Sequence, residues 1–229
     1  MARYLRQAGW TCRVRRKRVK MFTHDAFARV SFARSMLRNL KEHPDVDFSD
    51  EVRVDTNDHG NRHQWCAPGE RPRGLRTESH ATALHLWGCI GVGFRMLVEF
   101  PPGSVDASMY RAMCLTPYTR KRKSHAGIAF MQDGAPPHRP AENRQLLEDS
   151  GMTCIRGWPA RSPDLNPIEH LWHMLKSAVA RRGPTSLVEL RQFVFEEWRL
   201  IPQEVVDALV VSFESRLRKC ITMKGAPLY

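Results

Sequence analysis

Two runs, read together, decide the fold of this chain: Met131-Gln-Asp-Gly-Ala-Pro-Pro-His138 and Trp158-Pro-Ala-Arg-Ser-Pro-Asp-Leu-Asn-Pro-Ile-Glu-His-Leu-Trp172. The first closes a short apolar run, Gly127 to Met131, of the kind that forms a buried strand, so Asp133 stands at a strand end. The second contains Asn166-Pro167, a helix start with proline where the first helical N–H needs no partner. From there Ile168, Leu171, Trp172, Leu175 and Val179 recur at helical spacing, and Gly183-Pro184 stops the run. Glu169 therefore opens a helix. The 35 residues between the two acids hold a helix over about 141–149, closed near Gly151, and a short strand over about 152–156. A helix that returns the chain is enough to bring both carboxylates to one place.

Upstream, Val46, Phe48, Val52 and Val54 alternate with Asp45, Asp47, Ser49, Glu51, Arg53 and Asp55, which is the period of a half-buried strand. Six carboxylates lie between residues 45 and 58, and only Asp50 is directed with Phe48 and Val52. An acid there is costly unless it is paired or bound to a metal. Two apolar strands follow, roughly 81–90 and 94–100, with Gly88, Gly91 and Gly93 marking a hairpin. Ser104 or Asp106 caps a helix to about Leu115, and Arg120-Lys-Arg-Lys123 reads as a basic loop. Ser186 with Glu189 marks a capping box for a helix to about Trp198, and a last amphipathic helix runs over about 203–218. The order predicts an α/β chain: a mixed sheet flanked by helices, with further C-terminal helices.

Net charge is +12, and residues 1–40 hold eleven Lys/Arg against Asp25 alone. Tyr4 to Trp10 reads as the end of a helix, Cys12 to Lys20 as a basic linker, and Phe22 to Leu37 as a helix. A basic arm on a nearly neutral body points to nucleic acid as a partner, with a solvated arm or an import signal as the plain alternative. Six cysteines stand far apart without a C-x-x-C pair, against a zinc module or a disulfide framework. No apolar run reaches the length of a membrane span, and neither a membrane nor a small-molecule substrate is expected.

Asp50, Asp133 and Glu169 together suit phosphodiester chemistry by two divalent ions, which needs oxygen ligands from separate elements. Each has a plain alternative. Asp133 fits a turn closed on its own backbone, Glu169 fits the third helical position of a cap begun by Asn166, and Asp50 fits an ion pair with Arg53.

The same residues carry a resemblance. Phe48-Ser-Asp-Glu51, Leu86-Trp-Gly-Cys-Ile90, Gln132-Asp-Gly-Ala-Pro-Pro-His138 and the run from Trp158 to Trp172 resemble, in order, the motifs of Tc/mariner-superfamily transposase catalytic regions. The resemblance extends over about residues 4–220 and implies an RNase H-like fold. It also implies a D-D-E triad of Asp50, Asp133 and Glu169 that holds two Mg²⁺ or Mn²⁺ ions, with Asp164 as fallback for the third acid. The implied activity is cleavage of double-stranded DNA and strand transfer; the alternative is a truncated or co-opted derivative that binds DNA without cutting. Expected DNA contacts are Arg13, Arg15, Arg16, Lys17, Arg18, Lys20, Arg120, Lys121, Arg122, Lys123 and Arg161. Trp65, Pro68 and Gly69 resemble a loop that helps two protomers clasp each other. His138 is similar to a histidine that follows the second aspartate. The acid spacing is one residue longer than in many glutamate-type members, and Gly134 stands where Asn is common. Residues 1–40 are expected to be a basic remnant of a helix-turn-helix region and linker, and 41–229 the catalytic domain. The expected location is the nucleus if the source is eukaryotic, and otherwise the cytoplasm.

Overall fold

In the computed structural model, which describes residues 2–7, 11–14, 22–56, 63–66, 82–122 and 127–228, the N-terminal part forms α1 (Ala2–Gln7), β1 (Thr11–Val14) and α2 (Thr23–Asn39). The start of the expected basic linker is thus a strand. Its partner comes from far along the chain: β1 pairs antiparallel with β3 (His63–Cys66), Cys12 opposite Trp65. A local reading has no access to such a partner. Helix α2 lies on the N-terminal side of the expected boundary at residue 40, yet Phe32, Ala33 and Met36 are buried in the main core.

The principal sheet is mixed and five-stranded. Strand β2 (Val46–Asp55) lies at its centre, antiparallel to β4 (Ala83–Gly91) and parallel to β6 (Ala129–Met131). Strand β5 (Phe94–Glu99) completes a hairpin with β4, and β7 (Thr153–Cys154) runs parallel to β6, giving the order β5-β4-β2-β6-β7. The turn at Gly93 has a φ of 65°, a value that glycine adopts without penalty.

Each face of the sheet has its own core. On one, Val46, Phe48, Val54, Leu86 and Ile90 pack with α2, α6 (Ile168–Arg182), α7 (Leu187–Leu200) and α8 (Gln203–Thr222). On the other, Trp87, Cys89 and Met96 meet Tyr110, Cys114, Leu115, Tyr118 and Leu147. That second cover is α3 (Ala107–Tyr110), a π-helical turn over Arg111–Leu115, α4 (Thr116–Arg122) and α5 (Ala141–Asp149). The residues expected to form a basic loop are therefore helical as far as Arg122.

This cover changes the reading of β2. Its first four residues are buried, Asp47 and Ser49 included, so the strand is half-buried only beyond them. Asp47 accepts from Arg122 Nε at 2.8 Å and Nη2 at 2.7 Å, and from the Tyr118 hydroxyl at 2.9 Å. Burial raises the Asp47 carboxyl, and the guanidinium and the hydroxyl oppose that rise. Gly91 allows the arrangement, because a Cβ there would overlap the Asp47 carboxylate.

Several local signals stand as expected. Gly183, with a φ of 63°, ends α6 in the left-handed conformation. Ser186 caps α7 by accepting from Glu189 N–H, while the Glu189 carboxylate reaches back to Thr185 N–H at 2.8 Å. Helix α8 continues to Thr222, one turn beyond its expected end.

Candidate active site

Asp50 lies at mid-strand on β2, opposite Gly88 of β4 in the antiparallel register. The absence of a side chain at 88 has a packing reason: a Cβ would overlap the Trp172 indole and crowd Ile168. Helix α6 thereby sits directly on the sheet beside Asp50, and its first turn carries Glu169. Asn166 sets the entry. Its Oδ1 accepts from Ile168 N–H at 3.4 Å and its amide donates to Ser49 O at 3.5 Å, tying the helix start to β2. Asp133 follows the end of β6, and Ser49 Oγ donates to Met131 O at 2.8 Å to fasten β6 to β2. Strand β2, the end of β6 and the start of α6 thus bring Asp133 and Glu169 close enough for their charges to act on Asp50.

The electrostatics single out Asp50. Burial, then the charges of Glu169 and Glu51, push its carboxyl up from 3.8 to about 8; Asp133 adds to the rise and the Glu51 backbone opposes it. Burial also raises Glu169, against the pull of Lys176. Asp50 is not engaged by Arg53, whose Nε lies 4.0 Å from Asp55.

Asp133 is held differently. The His138 hydrogen bond lowers its pKa, against burial, and Ala135 N–H assists by donating to Oδ1 at 2.8 Å. The turn reading of Asp133 is thus correct as far as it goes, and its charge still reaches Asp50. His138 Nδ1 lies 2.8 Å from Asp133 Oδ1, and Nε2 lies 3.0 Å from Glu51 Oε1. Burial opposes charge on this ring, but hydrogen bonds to Asp133 and Glu51 prevail and push its pKa up to about 10. It is an imidazolium at neutral pH, donating at both nitrogens.

Asp164 belongs elsewhere. It is buried and takes a bidentate pair from Arg29, at 2.7 Å and 2.5 Å, while Leu228 N–H donates to Oδ2 at 2.9 Å. Arg29 Nε also donates to Gly225 O at 2.9 Å. This acid fastens α2 and the C-terminal segment to the turn before α6, whereas Glu169 is an acid whose charge acts on Asp50.

Among the basic residues, Arg122 is buried on Asp47, whereas Arg120 and Lys121 face solvent. Arg161 pairs with Asp25 at 2.5 Å and lies over the Phe22 ring. Arg13 is on β1 and Trp65 on β3; Arg15, Arg16, Lys17, Arg18, Lys20, Pro68, Gly69 and Lys123 lie outside the described residues. Sequence reasoning missed Glu51, which reads as one more acid on a polar face. It also missed the exposed Arg139, whose Nε donates to Gly134 O at 2.8 Å beside Asp133.

A central strand, its parallel neighbour and an adjoining helix carry Asp50, Asp133 and Glu169, the last two within electrostatic reach of the first, on a mixed sheet of RNase H-like fold. Residues 45–191 match the family described as DDE superfamily endonuclease, and the chain belongs to it. It is 29% identical over 190 residues to the Tc3 transposase of Caenorhabditis elegans, covering 80% of this chain and 57% of that protein. It is 27% identical over 161 residues to the Tcb2 transposase of Caenorhabditis briggsae, covering 67% of this chain and 57% of that protein. The chain thus spans a little over half the length of these relatives. Among solved structures, the Mos1 mariner paired-end complex with Mn matches with a TM-score of 0.76 at 19% identity, covering 100% of this chain and 71% of that one. The isolated Mos1 catalytic domain matches with a TM-score of 0.68 at 19% identity, covering 93% of this chain and 100% of that one. The fold is that of the Mos1 catalytic domain, and the family is that of the DDE superfamily endonucleases.

Proposed function

We propose that this chain is the catalytic unit of a DNA transposase, hydrolysing a phosphodiester at an element end and joining the freed 3′-hydroxyl to target DNA. The observation that carries the proposal is the placement of Asp50, opposite Gly88 under α6 with Glu169, Glu51 and Asp133 as its charged neighbours, which together with burial push its carboxyl up to about 8. Like charges converging in a half-buried site are held there at a cost that a cation relieves. The donor set is all oxygen and drawn from separate elements, which fits a hard divalent ion.

Asp50, Asp133 and Glu169 would hold Mg²⁺ or Mn²⁺, and two such ions, when bound, activate the attacking water or 3′-hydroxyl and stabilise the departing oxygen. The protein's part is placement. Asp50 is fixed by its pairing with Gly88 of β4, and Glu169 by the α6 stripe packed over that glycine. Asp133 is fixed by Ala135 N–H and His138. Fixed ligands keep the charge field constant through the reaction, so no reorganisation is needed when charge develops.

Double-stranded DNA is the partner that suits this reading. Arg120, Lys121 and Arg139 are exposed cations of the catalytic body, and the basic residues from Arg13 to Lys20 extend the attraction through phosphate contacts. Solved relatives include a Mos1 strand transfer complex, which supports the second step here by analogy of fold. Pairing of two protomers around Trp65, and a nuclear location in a eukaryotic source, belong to the same proposal.

A duplex-nicking assay in Mn²⁺ is the direct test. Wild type is expected to nick and Asp133→Ala to fall to background with its unfolding transition intact. Equal activity of the two overturns the reading. Calorimetric Mn²⁺ titration separates it from a derivative that binds DNA without cutting, which has no need to take up metal at these acids.

A further inference from the structure

The acids of β2 point to opposite faces of the sheet. Asp50 faces α6, while Glu51, opposite Trp87 in the register, faces the helical layer that includes Tyr110. His138 stands between Glu51 and Asp133. Its Nε2 is 3.0 Å from Glu51 Oε1, and its Nδ1 is 2.8 Å from Asp133 Oδ1 and 3.2 Å from Asp133 O. The ring plane is fixed as well, with the Tyr110 ring centroid 4.3 Å away. Tyr110 is itself anchored, its hydroxyl donating to Gln132 Oε1 at 2.9 Å, and Gln132 Nε2 donates back to His138 O at 3.4 Å. Asn143 Nδ2 pins the same turn by donating to Pro137 O at 2.9 Å.

We propose that Glu51 acts through His138 as a positioning residue for Asp133. The inference rests on the reading of Asp133 as a metal-holding acid and extends it across the sheet. Asp133 lies in a half-exposed turn, where an unrestrained carboxylate would rotate. His138 and Ala135 N–H both bind Oδ1, so the orientation of the carboxylate is set, with Oδ2 outside this pair of bonds. Glu51 keeps the imidazole from turning by engaging its far nitrogen. Partners behind a metal ligand commonly matter in this way, because they fix a ligand that would otherwise lose orientation on binding. The ligand atoms of Glu51, Asp133 and His138 lie within 4.8 Å of one another. With both imidazole nitrogens spent on hydrogen bonds, the arrangement is a relay rather than a separate ion site.

The test compares wild type, Glu51→Ala and Glu51→Gln by Mn²⁺ titration calorimetry, single-turnover duplex nicking and the ¹⁵N resonances of the His138 ring. Glu51→Ala is expected to weaken Mn²⁺ binding by about 10-fold or more and to slow nicking, while Glu51→Gln, whose amide oxygen still accepts from Nε2, stays within about threefold of wild type. The His138 Nε2 resonance is expected to move in the alanine variant and to hold in the glutamine one. Glu51 is partly exposed, so neither change should unfold β2; should the alanine variant fail to fold, Glu51→Met, which keeps the length but offers Nε2 no oxygen, takes its place with the same expected loss. Wild-type Mn²⁺ affinity in Glu51→Ala overturns the proposal. A glutamine variant as weak as the alanine one also overturns it, since Glu51 would then act by its own charge as a ligand. The two readings fail separately. Ordered Mn²⁺ affinities without nicking in any form leave the relay standing and remove the nuclease, whereas equal nicking and equal affinity in all three forms remove the relay alone.

Discussion

Asp47 and Asp50 stand on one strand and point to opposite faces of one sheet. Asp47 is the more deeply buried, yet it meets a guanidinium held at two points and a tyrosine hydroxyl. Asp50 is only partly covered, yet its charged neighbours are Glu169, Glu51 and Asp133. Depth of burial is therefore a poor guide to function in this molecule. A buried acid with its counter-charge built in is part of the scaffold; one surrounded by further acids is waiting for a charge from outside.

The largest expected effect comes from breaking the satisfied side. Arg122→Ala strands the Asp47 carboxylate and should cost about 3–5 kcal/mol of stability, with Asp47→Asn/Arg122→Met recovering most of it. Urea unfolding measures both, and a mild single variant would mean that the pair is not structural. Next, Gly88→Ala forces a methyl group into the Trp172 indole. Overpacking of this kind costs about 1–3 kcal/mol, and the displaced α6 should carry Glu169 away from Asp50, weakening Mn²⁺ binding as well. Undisturbed stability and affinity would show that α6 has slack.

The unsatisfied side should respond in the opposite sense. Asp50→Asn removes a carboxyl whose ionised form the fold resists, so the metal-free protein should gain at least about 2–4 °C in Tm, the shift that about 1 kcal/mol brings to a domain of this size, while nicking is lost. A lower Tm would mean that Asp50 has a stabilising partner. The same acid gives a dependence on pH. A carboxyl raised from 3.8 to about 8 binds its proton more tightly in the folded than in the unfolded chain. Its contribution is therefore full below about pH 4 and is lost as pH rises towards 8. Thermal melts across that window should show wild type falling relative to Asp50→Asn, and Mn²⁺ should close the gap. Parallel curves for the two proteins would refute the assignment.

Local patterns carried much of this arrangement. Alternation around Phe48 placed Asp50 among apolar neighbours, because a strand's two-residue period leaves little freedom in which way a side chain points. Asn166-Pro167 located the start of α6, and the apolar run before Asp133 located β6. Asp47 was misjudged for the complementary reason. Alternation assigns a residue to a face but does not say whether that face is wet, and the second face is covered by a helix some sixty residues downstream. The basic run ending at Lys123 misled in the same way, since a cation in a charged stretch looks solvated until its partner is known.

What the chain determined by itself is the set of strands and helices around the site and the residue types at their ends. These depend on periodicity, caps and turns, all of which act within a few residues. Only the tertiary structure decided which acids are neutralised. Asp164 and Asp47 found arginines far away in sequence, Asp133 found Glu51 by way of His138, and Asp50 was left among acids. Charge pairing works through space at a few ångströms, and such distances are set when the layers close on the sheet.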